Sequence, residues 1–275
     1  MPLFQVIVLA LVQALTEFLP ISSTAHLFLF PWLFGWGDPG LTFTMVVHVG
    51  TLFAVLLYFL QTWLTLGLSG IGIRYPRNIS DADFAVHRRL FWYLVAATIP
   101  AAVIGALLES AIETKFRSAA LMGAMLILVG LLMWWAESRA NLTRTIESLN
   151  FADAMTIGTA QAIALVPGVS RSGITITAGI FKGLTREASA RFTFLLSTPI
   201  IAGAAAKKIW DLRHVTIAQH EIAGLWVGAI VSGVAGYLVI AFFMRYLQTR
   251  TLKIFIYYRI VFGIIILLLA FLHKG

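Results

Sequence analysis

Apolar runs of about twenty residues recur from one end of this 275-residue chain to the other, and a run of that length matches the hydrocarbon thickness of a bilayer. Inside hydrocarbon no water serves a bare N–H or C=O, so a crossing segment must close its own backbone hydrogen bonds. Only helices and closed barrels do so. Barrel strands would show as segments of about ten residues with alternating polarity, and the chain carries none. With 60% hydrophobic and 12% charged residues, it lies far from the roughly one quarter charged residues of a soluble domain. The expected fold is an all-α polytopic membrane protein, one integral-membrane domain over residues 1–275.

Two apolar segments, near 3–34 and 153–181, cannot be ordinary spans, because Pro20 and Pro167 interrupt them. A broken helix leaves backbone groups unpaired, which a membrane tolerates only where they line a protein-walled or wet cavity. Each segment is therefore read as a re-entrant helical hairpin. Sliding the chain against itself at an offset of 148 superposes Gln13-Ala14 on Gln161-Ala162 and "SSTA" (22–25) on "SRSG" (170–173). Each hairpin is followed by three spans, near 41–64, 90–108 and 119–136 in the first half and 192–209, 222–244 and 254–272 in the second. The prediction is six transmembrane helices plus two re-entrant hairpins in an inverted-topology repeat, with repeat 1 over about 1–136 and repeat 2 over about 150–275. An odd number of spans per half inverts the second half, so the hairpins enter from opposite faces and build a polar site at the midplane.

The net charge of +8 does not call for nucleic acid, since cations gather in the cytoplasmic loops of membrane proteins. Twelve of the twenty Lys and Arg, among them Arg88, Arg89, Arg144, Arg186 and Arg250, fall on one side; Lys115, Arg117, Lys207, Lys208, Arg213 and Lys274 fall on the other. The richer side is expected to be cytoplasmic, with both termini outside. With no cysteine the chain has no disulfide, no thiolate chemistry and no Cys-based zinc site. The first twenty residues lack a basic n-region and read as part of the mature fold.

Polar residues concentrate in the two broken segments. Gln13 and Glu17, four apart, share a helix face, and a carboxylate at membrane depth is expensive enough to mark a functional site. Ser22, Ser23, Thr24 and His26 follow Pro20. Ser22 and Thr24 are candidate caps for the next helix. Ser23 and His26, about one turn apart, are expected to touch, Ser23 as nucleophile and His26 as its base or as the acid for the leaving group. In "PGVSRSGIT" (167–175), glycines, serines and Arg171 offer N–H groups, hydroxyls and a guanidinium to one point, as a phosphate requires. A structural ion pair between Arg171 and Glu17 is the competing reading. Together the clusters point to metal-assisted phosphoryl chemistry on a lipid-linked substrate, with Glu17 and Gln13 holding a hard divalent cation.

"VQALTEFLPISSTAH" and "PGVSRSGITITAG" resemble the two signature motifs of the undecaprenyl-diphosphatase (bacitracin-resistance protein) family, with "VVHVGTLFAVLLYF" and "RFTFLLSTPIIAGA" similar to its intervening segments. The resemblance implies hydrolysis of undecaprenyl diphosphate to undecaprenyl phosphate and inorganic phosphate, recycling the lipid carrier for cell-wall polymers and conferring bacitracin resistance. By motif position it implies catalytic roles for Glu17, Ser23, His26 and Arg171. It implies phosphate-binding or supporting roles for Ser22, Thr24, Ser170, Ser172, Gly173 and Thr175. Gln13 stands where many members have a second Glu, and Ala14 and Ala25 replace common glycines. The motif leaves open whether Ser23 or a water primed by His26 attacks.

The implied metal is Mg²⁺, with Ca²⁺ or Mn²⁺ as alternatives that also favour oxygen ligands. The implied partners are the lipid-linked diphosphate and membrane lipids, with a homodimer as a candidate assembly. The implied location is the bacterial cytoplasmic (inner) membrane, with the site opening to the outer, periplasmic face. A prenyl-phosphate flippase using the same midplane site is the alternative, since broken helices in inverted repeats also build carriers. The membrane phosphatases with a histidine nucleophile are excluded, because "SGITITAGIFKGLTREASARF" after Arg171 holds neither the histidine nor the aspartate they need.

Overall fold

A computed structural model describes residues 1–116, 118–139, 141–212 and 219–272; Arg117, Arg213 and Lys274, counted above among the cations of the poorer side, lie outside the described residues. The described chain is helical throughout: α1 Leu3–Phe18, α2 Ser23–Phe34, α3 Gly40–Tyr58, α4 Leu60–Gly70, α5 Asp81–Lys115, α6 Ala119–Arg139, α7 Phe151–Ile163, α8 Arg171–Phe181, α9 Arg186–Leu212, α10 Gln219–Leu247 and α11 Lys253–Leu272. Six of these, α3, α5, α6, α9, α10 and α11, are long and apolar enough to cross a membrane. The expectation of an all-α polytopic membrane protein holds. One span differs: the segment near 41–64 is two helices. Phe59 leaves helical geometry (φ −100°, ψ 21°), while its buried ring packs edge-on against Tyr58 at 4.8 Å and tilted against Phe194 at 6.3 Å. Neither Pro nor Gly marks that kink, so tertiary packing sets it.

The two proline-broken segments each fold as a pair of short helices. α1 stops where the residue before Pro20 is forced extended; Leu19 has ψ 143°. Ser22 is the N-cap of α2 and Ser170, 148 residues later, the N-cap of α8. Both serines adopt positive φ (79° and 72°), and each accepts a hydrogen bond from a first-turn amide, Ala25 N at 3.5 Å and Gly173 N at 3.1 Å. A positive φ in a non-glycine residue is strained, and here the N-cap bond helps hold it. With 16, 12, 13 and 11 residues, α1, α2, α7 and α8 reach only about 17–24 Å at 1.5 Å per residue, short of a bilayer's roughly 30 Å core.

The base of the second pair is tied by Arg144. Its guanidinium donates to Asp153 Oδ2 (2.6 Å), Ser148 O (2.9 Å) and Lys182 O (2.8 Å), joining the start of α7 to the turn after α8. Asp153 also closes a capping box with Asn150.

Close helix approach uses small residues, as expected where lipid supplies no hydrophobic drive between helices. α10 packs on α3 and α1, α11 on α6, and α5 on α7. A Cβ on Gly50 would sit 2.4 Å from Ala229 O, and one on Gly158 2.2 Å from Ala97 O. α9 is the most interior span, with 67% of its crossing stretch buried against 22% for α5. It packs against α8, α3 and α5, which sets it behind the polar site.

Candidate active site

The site forms where the breaks of the two helix pairs meet. Glu17 is buried on the last turn of α1. Gln13, one turn earlier and fully buried, donates from Nε2 to Glu17 Oε2 at 3.0 Å. Ser23, the first residue of α2, donates its hydroxyl to the same oxygen at 2.6 Å. From the other pair, Arg171 Nη2 lies 3.3 Å from Glu17 Oε1. The i, i+4 pairing of Gln13 with Glu17 is observed, and so is the ion pair weighed above as a competing reading. That pair leaves Arg171 Nη1 buried with no acceptor among the described residues, so the guanidinium keeps capacity for an anion.

A fifth group was missed by sequence reasoning. His48 on α3 donates from Nδ1 to Thr44 O at 2.7 Å, and this turns Nε2 toward Glu17 Oε2 at 3.6 Å. The only signal was an imidazole in the apolar run "VVHVGTLFAV". His48 and Arg171 together line a cavity of about 230 Å³ that opens beside the carboxylate.

His26 is a correction. The expected Ser23–His26 contact does not form; Ser23 turns to Glu17 instead. His26 is buried, its Nδ1 donating to Ser22 O and its Nε2 accepting from Tyr258, each at 2.7 Å. Its ring stacks on Phe262 at 4.8 Å and on Tyr258 at 5.7 Å. The aromatic face of α11 draws the imidazole away from Ser23, a choice that one-turn spacing within α2 could not reveal.

The hydroxyls expected to cradle phosphate are engaged within the protein. Ser170 caps α8 and meets Ser172 Oγ at 3.2 Å. Ser172 donates to Leu19 O at 3.1 Å across to the first break. Thr175 donates to Arg171 O at 2.7 Å and accepts from Thr193 at 3.0 Å. These bonds build the turn that presents Arg171. A Cβ at Gly173 would lie 3.1 Å from Arg259 Nη1, so the absence of a side chain there admits a second arginine. Ser22 takes the cap expected of it, while Thr24 is exposed.

That second arginine is the main structural surprise. Arg259 on α11 is fully buried and donates to Pro20 O (3.1 Å) in the first break and to Gly168 O (3.1 Å) and Val169 O (2.9 Å) in the second. It also donates to Leu126 O (3.2 Å) on α6. One side chain therefore joins both breaks, and buried carbonyls meet a donor they would otherwise lack.

For a divalent cation the donor set is thin but suitable. Among the described residues no group of three or more His, Asp or Glu gathers. Glu17 supplies a carboxylate, and Gln13 Oε1 is buried with no hydrogen-bond partner. Mg²⁺ is commonly held by one or two carboxylates, with water and substrate phosphate completing the shell.

The model of the family described as Bacitracin resistance protein BacA matches residues 6–265. Relatives named undecaprenyl-diphosphatase are similar over nearly the whole length. The protein of Pelotomaculum thermopropionicum is 44% identical, over 98% of this chain and 97% of its own. That of Moorella thermoacetica is 45% identical over 100% of both, and that of Elusimicrobium minutum 46% over 96% of both.

Proposed function

This chain belongs to the bacitracin resistance protein BacA family, and we propose that it hydrolyses undecaprenyl diphosphate to undecaprenyl phosphate and inorganic phosphate, returning the lipid carrier to cell-wall polymer synthesis. The observation that most supports this is the 2.6 Å bond from Ser23 Oγ to the Glu17 carboxylate, with Arg171 on the same carboxylate from the other break. A hydroxyl donating to a buried carboxylate is an activated nucleophile. Ser23 Oγ attacks the terminal phosphorus as its proton passes to Glu17. The Oγ–P bond forms while the bridging P–O bond breaks, and its electron pair leaves with the lipid phosphate. Water then opens the phosphoserine, and Ser23 Oγ recovers a proton through Glu17.

Arg171 Nη1 and the first N–H groups of α8 face the charge on the transferring phosphoryl group, which is where preorganised donors matter most. Glu17 and Gln13 would hold the divalent cation, Mg²⁺ by the hardness of its oxygen ligands, and bound there it would neutralise phosphate oxygens. In this reading His26 fixes the start of α2, and the carrier alternative is not favoured. Relatives carry a phosphatase name, and a carrier has no use for the Ser23–Glu17 bond.

The lengths of α1, α2, α7 and α8 and the 148-residue spacing of Ser22 and Ser170 support re-entrant hairpins in two inverted halves. The cation bias supports an orientation with both termini outside, and family membership is the ground for reading a cytoplasmic membrane with the site open to the outer face.

The test is phosphate release from farnesyl and undecaprenyl diphosphate by purified protein in detergent, for wild type, Ser23→Ala, Glu17→Ala and Arg171→Ala, each with Mg²⁺ and with EDTA. Metal-dependent release lost in all three variants is expected. Full activity in Ser23→Ala would remove the serine step and leave water as the attacking group. No release from wild type would overturn the reading.

A further inference from the structure

We propose that the isoprenoid chain leaves the site sideways through two adjoining apolar cavities on either side of the C-terminal half of α9, and that Gly105 and Gly203 keep the second one open. The inference rests on the phosphatase reading and extends it from the headgroup to the tail.

The first cavity is the one of about 230 Å³ that Arg171 and His48 line; apart from Thr44 its walls are otherwise apolar, with Leu41 and Met45 of α3 opposite Ile201 and Ala205 of α9. The second, of about 460 Å³, lies between α5 and α9, with Ala101, Gly105 and Ala106 opposite Pro199 and Gly203, and with Leu165 from the second break at its wall. Ile200 and Ala204 line both, so the cavities adjoin across one turn of α9. A diphosphate held at Arg171 thus has beside it two adjoining cavities whose lining, among the described residues and apart from Arg171 and His48, is apolar but for Thr44, Thr98 and Lys207. Beside the second cavity, Ile99 (55%), Val103 (50%) and Leu107 (75%) on α5 are exposed, which is where a long chain passes on into lipid.

The small residues give this path its width. A Cβ at Gly203 would meet nothing within 4 Å, and one at Gly105 only Leu165, at 3.7 Å. Neither glycine is required by close helix packing, unlike Gly50, and neither has a positive φ. Both stand in helix interiors, where glycine is less favourable than alanine. What their missing side chains leave is cavity. From Ile200 to Lys207 the helix rises only about 10 Å, so the cavities take the first isoprene units and the rest of a long chain lies in the bilayer. A geranyl chain ends within the first cavity, whereas farnesyl and undecaprenyl chains enter the second.

The experiment compares kcat/KM for geranyl, farnesyl and undecaprenyl diphosphate in wild type, Gly203→Phe and Gly105→Phe, with melting temperature as the control for folding. The two variants fill one cavity from opposite walls. The expected result is a loss of roughly tenfold on farnesyl and undecaprenyl diphosphate, the worth of about two buried methylenes, with geranyl diphosphate and melting temperature unchanged. Equal losses on all three substrates would overturn the proposal, since the damage would then lie at the headgroup or in the fold. Unchanged turnover of undecaprenyl diphosphate would also overturn it, leaving the cavity to a bilayer acyl chain. If wild type releases phosphate from none of the three, the phosphatase reading itself falls.

Discussion

Replacing Arg259 by Met keeps most of the side chain's length and removes every donor. Pro20 O, Gly168 O and Val169 O, all within the two breaks, then lose the hydrogen bonds that Arg259 makes to them. A buried carbonyl left without a partner costs about 1–3 kcal/mol, so three of them sum to at least about 3 kcal/mol. The loss at Leu126 O adds less, because that carbonyl sits inside α6 where the helix also serves it. Against this, Met removes a buried guanidinium whose desolvation the native protein bears, which argues for the lower end. At roughly 2–4 °C per kcal/mol for a chain of this size, the melting temperature in one detergent should fall by about 6–12 °C. Lys, a point charge on a flexible stem, cannot present the planar fork that reaches both breaks, so Arg259→Lys should recover only part of the loss. Since Ser23 and Arg171 begin the helices that follow the two breaks, phosphate release should fall as well. The assay is a thermal melt followed by fluorescence, paired with phosphate release at a temperature where both proteins are folded. A variant that melts with wild type and turns over at its rate would refute the idea that Arg259 sets the two breaks against each other.

Two further outcomes follow from the local geometry. Ser22 and Ser170 combine a positive φ with an N-cap bond, so Ala at either place loses the cap without relieving the backbone and should cost about 1–2 kcal/mol. Gly relieves the backbone while giving up little of the cap and should come out near neutral, and melts of the four single variants would show whether Gly and Ala separate. Tyr258→Phe removes the hydroxyl that donates to His26 Nε2 and should lower stability by about 1–3 kcal/mol with kcat unchanged; a fall in kcat without loss of stability would return His26 to a chemical role.

The sequence by itself determined the class of fold, because apolar runs of bilayer length leave the backbone no other way to meet its own hydrogen-bonding demand. It also showed where that rule breaks, at Pro20 and Pro167, and it placed Glu17, Ser23 and Arg171 near the breaks, since charge and hydroxyls at membrane depth are costly enough to stand out. The 148-residue offset was legible as a thin identity and returns as two serines in the same strained conformation.

What the tertiary structure decided was partnership. Ser23 has His26 within one turn and Glu17 six residues back; the stacking of His26 on Tyr258 and Phe262, more than 230 residues away, assigns it to Glu17. His48 and Arg259 look in sequence like isolated polar residues in apolar helices, and they matter only because α3 and α11 pack where the two breaks meet. The kink at Phe59 has the same origin. Local spacing reports what a helix face can carry, but which groups share a buried charge depends on contacts between distant segments, and no period within either segment records them.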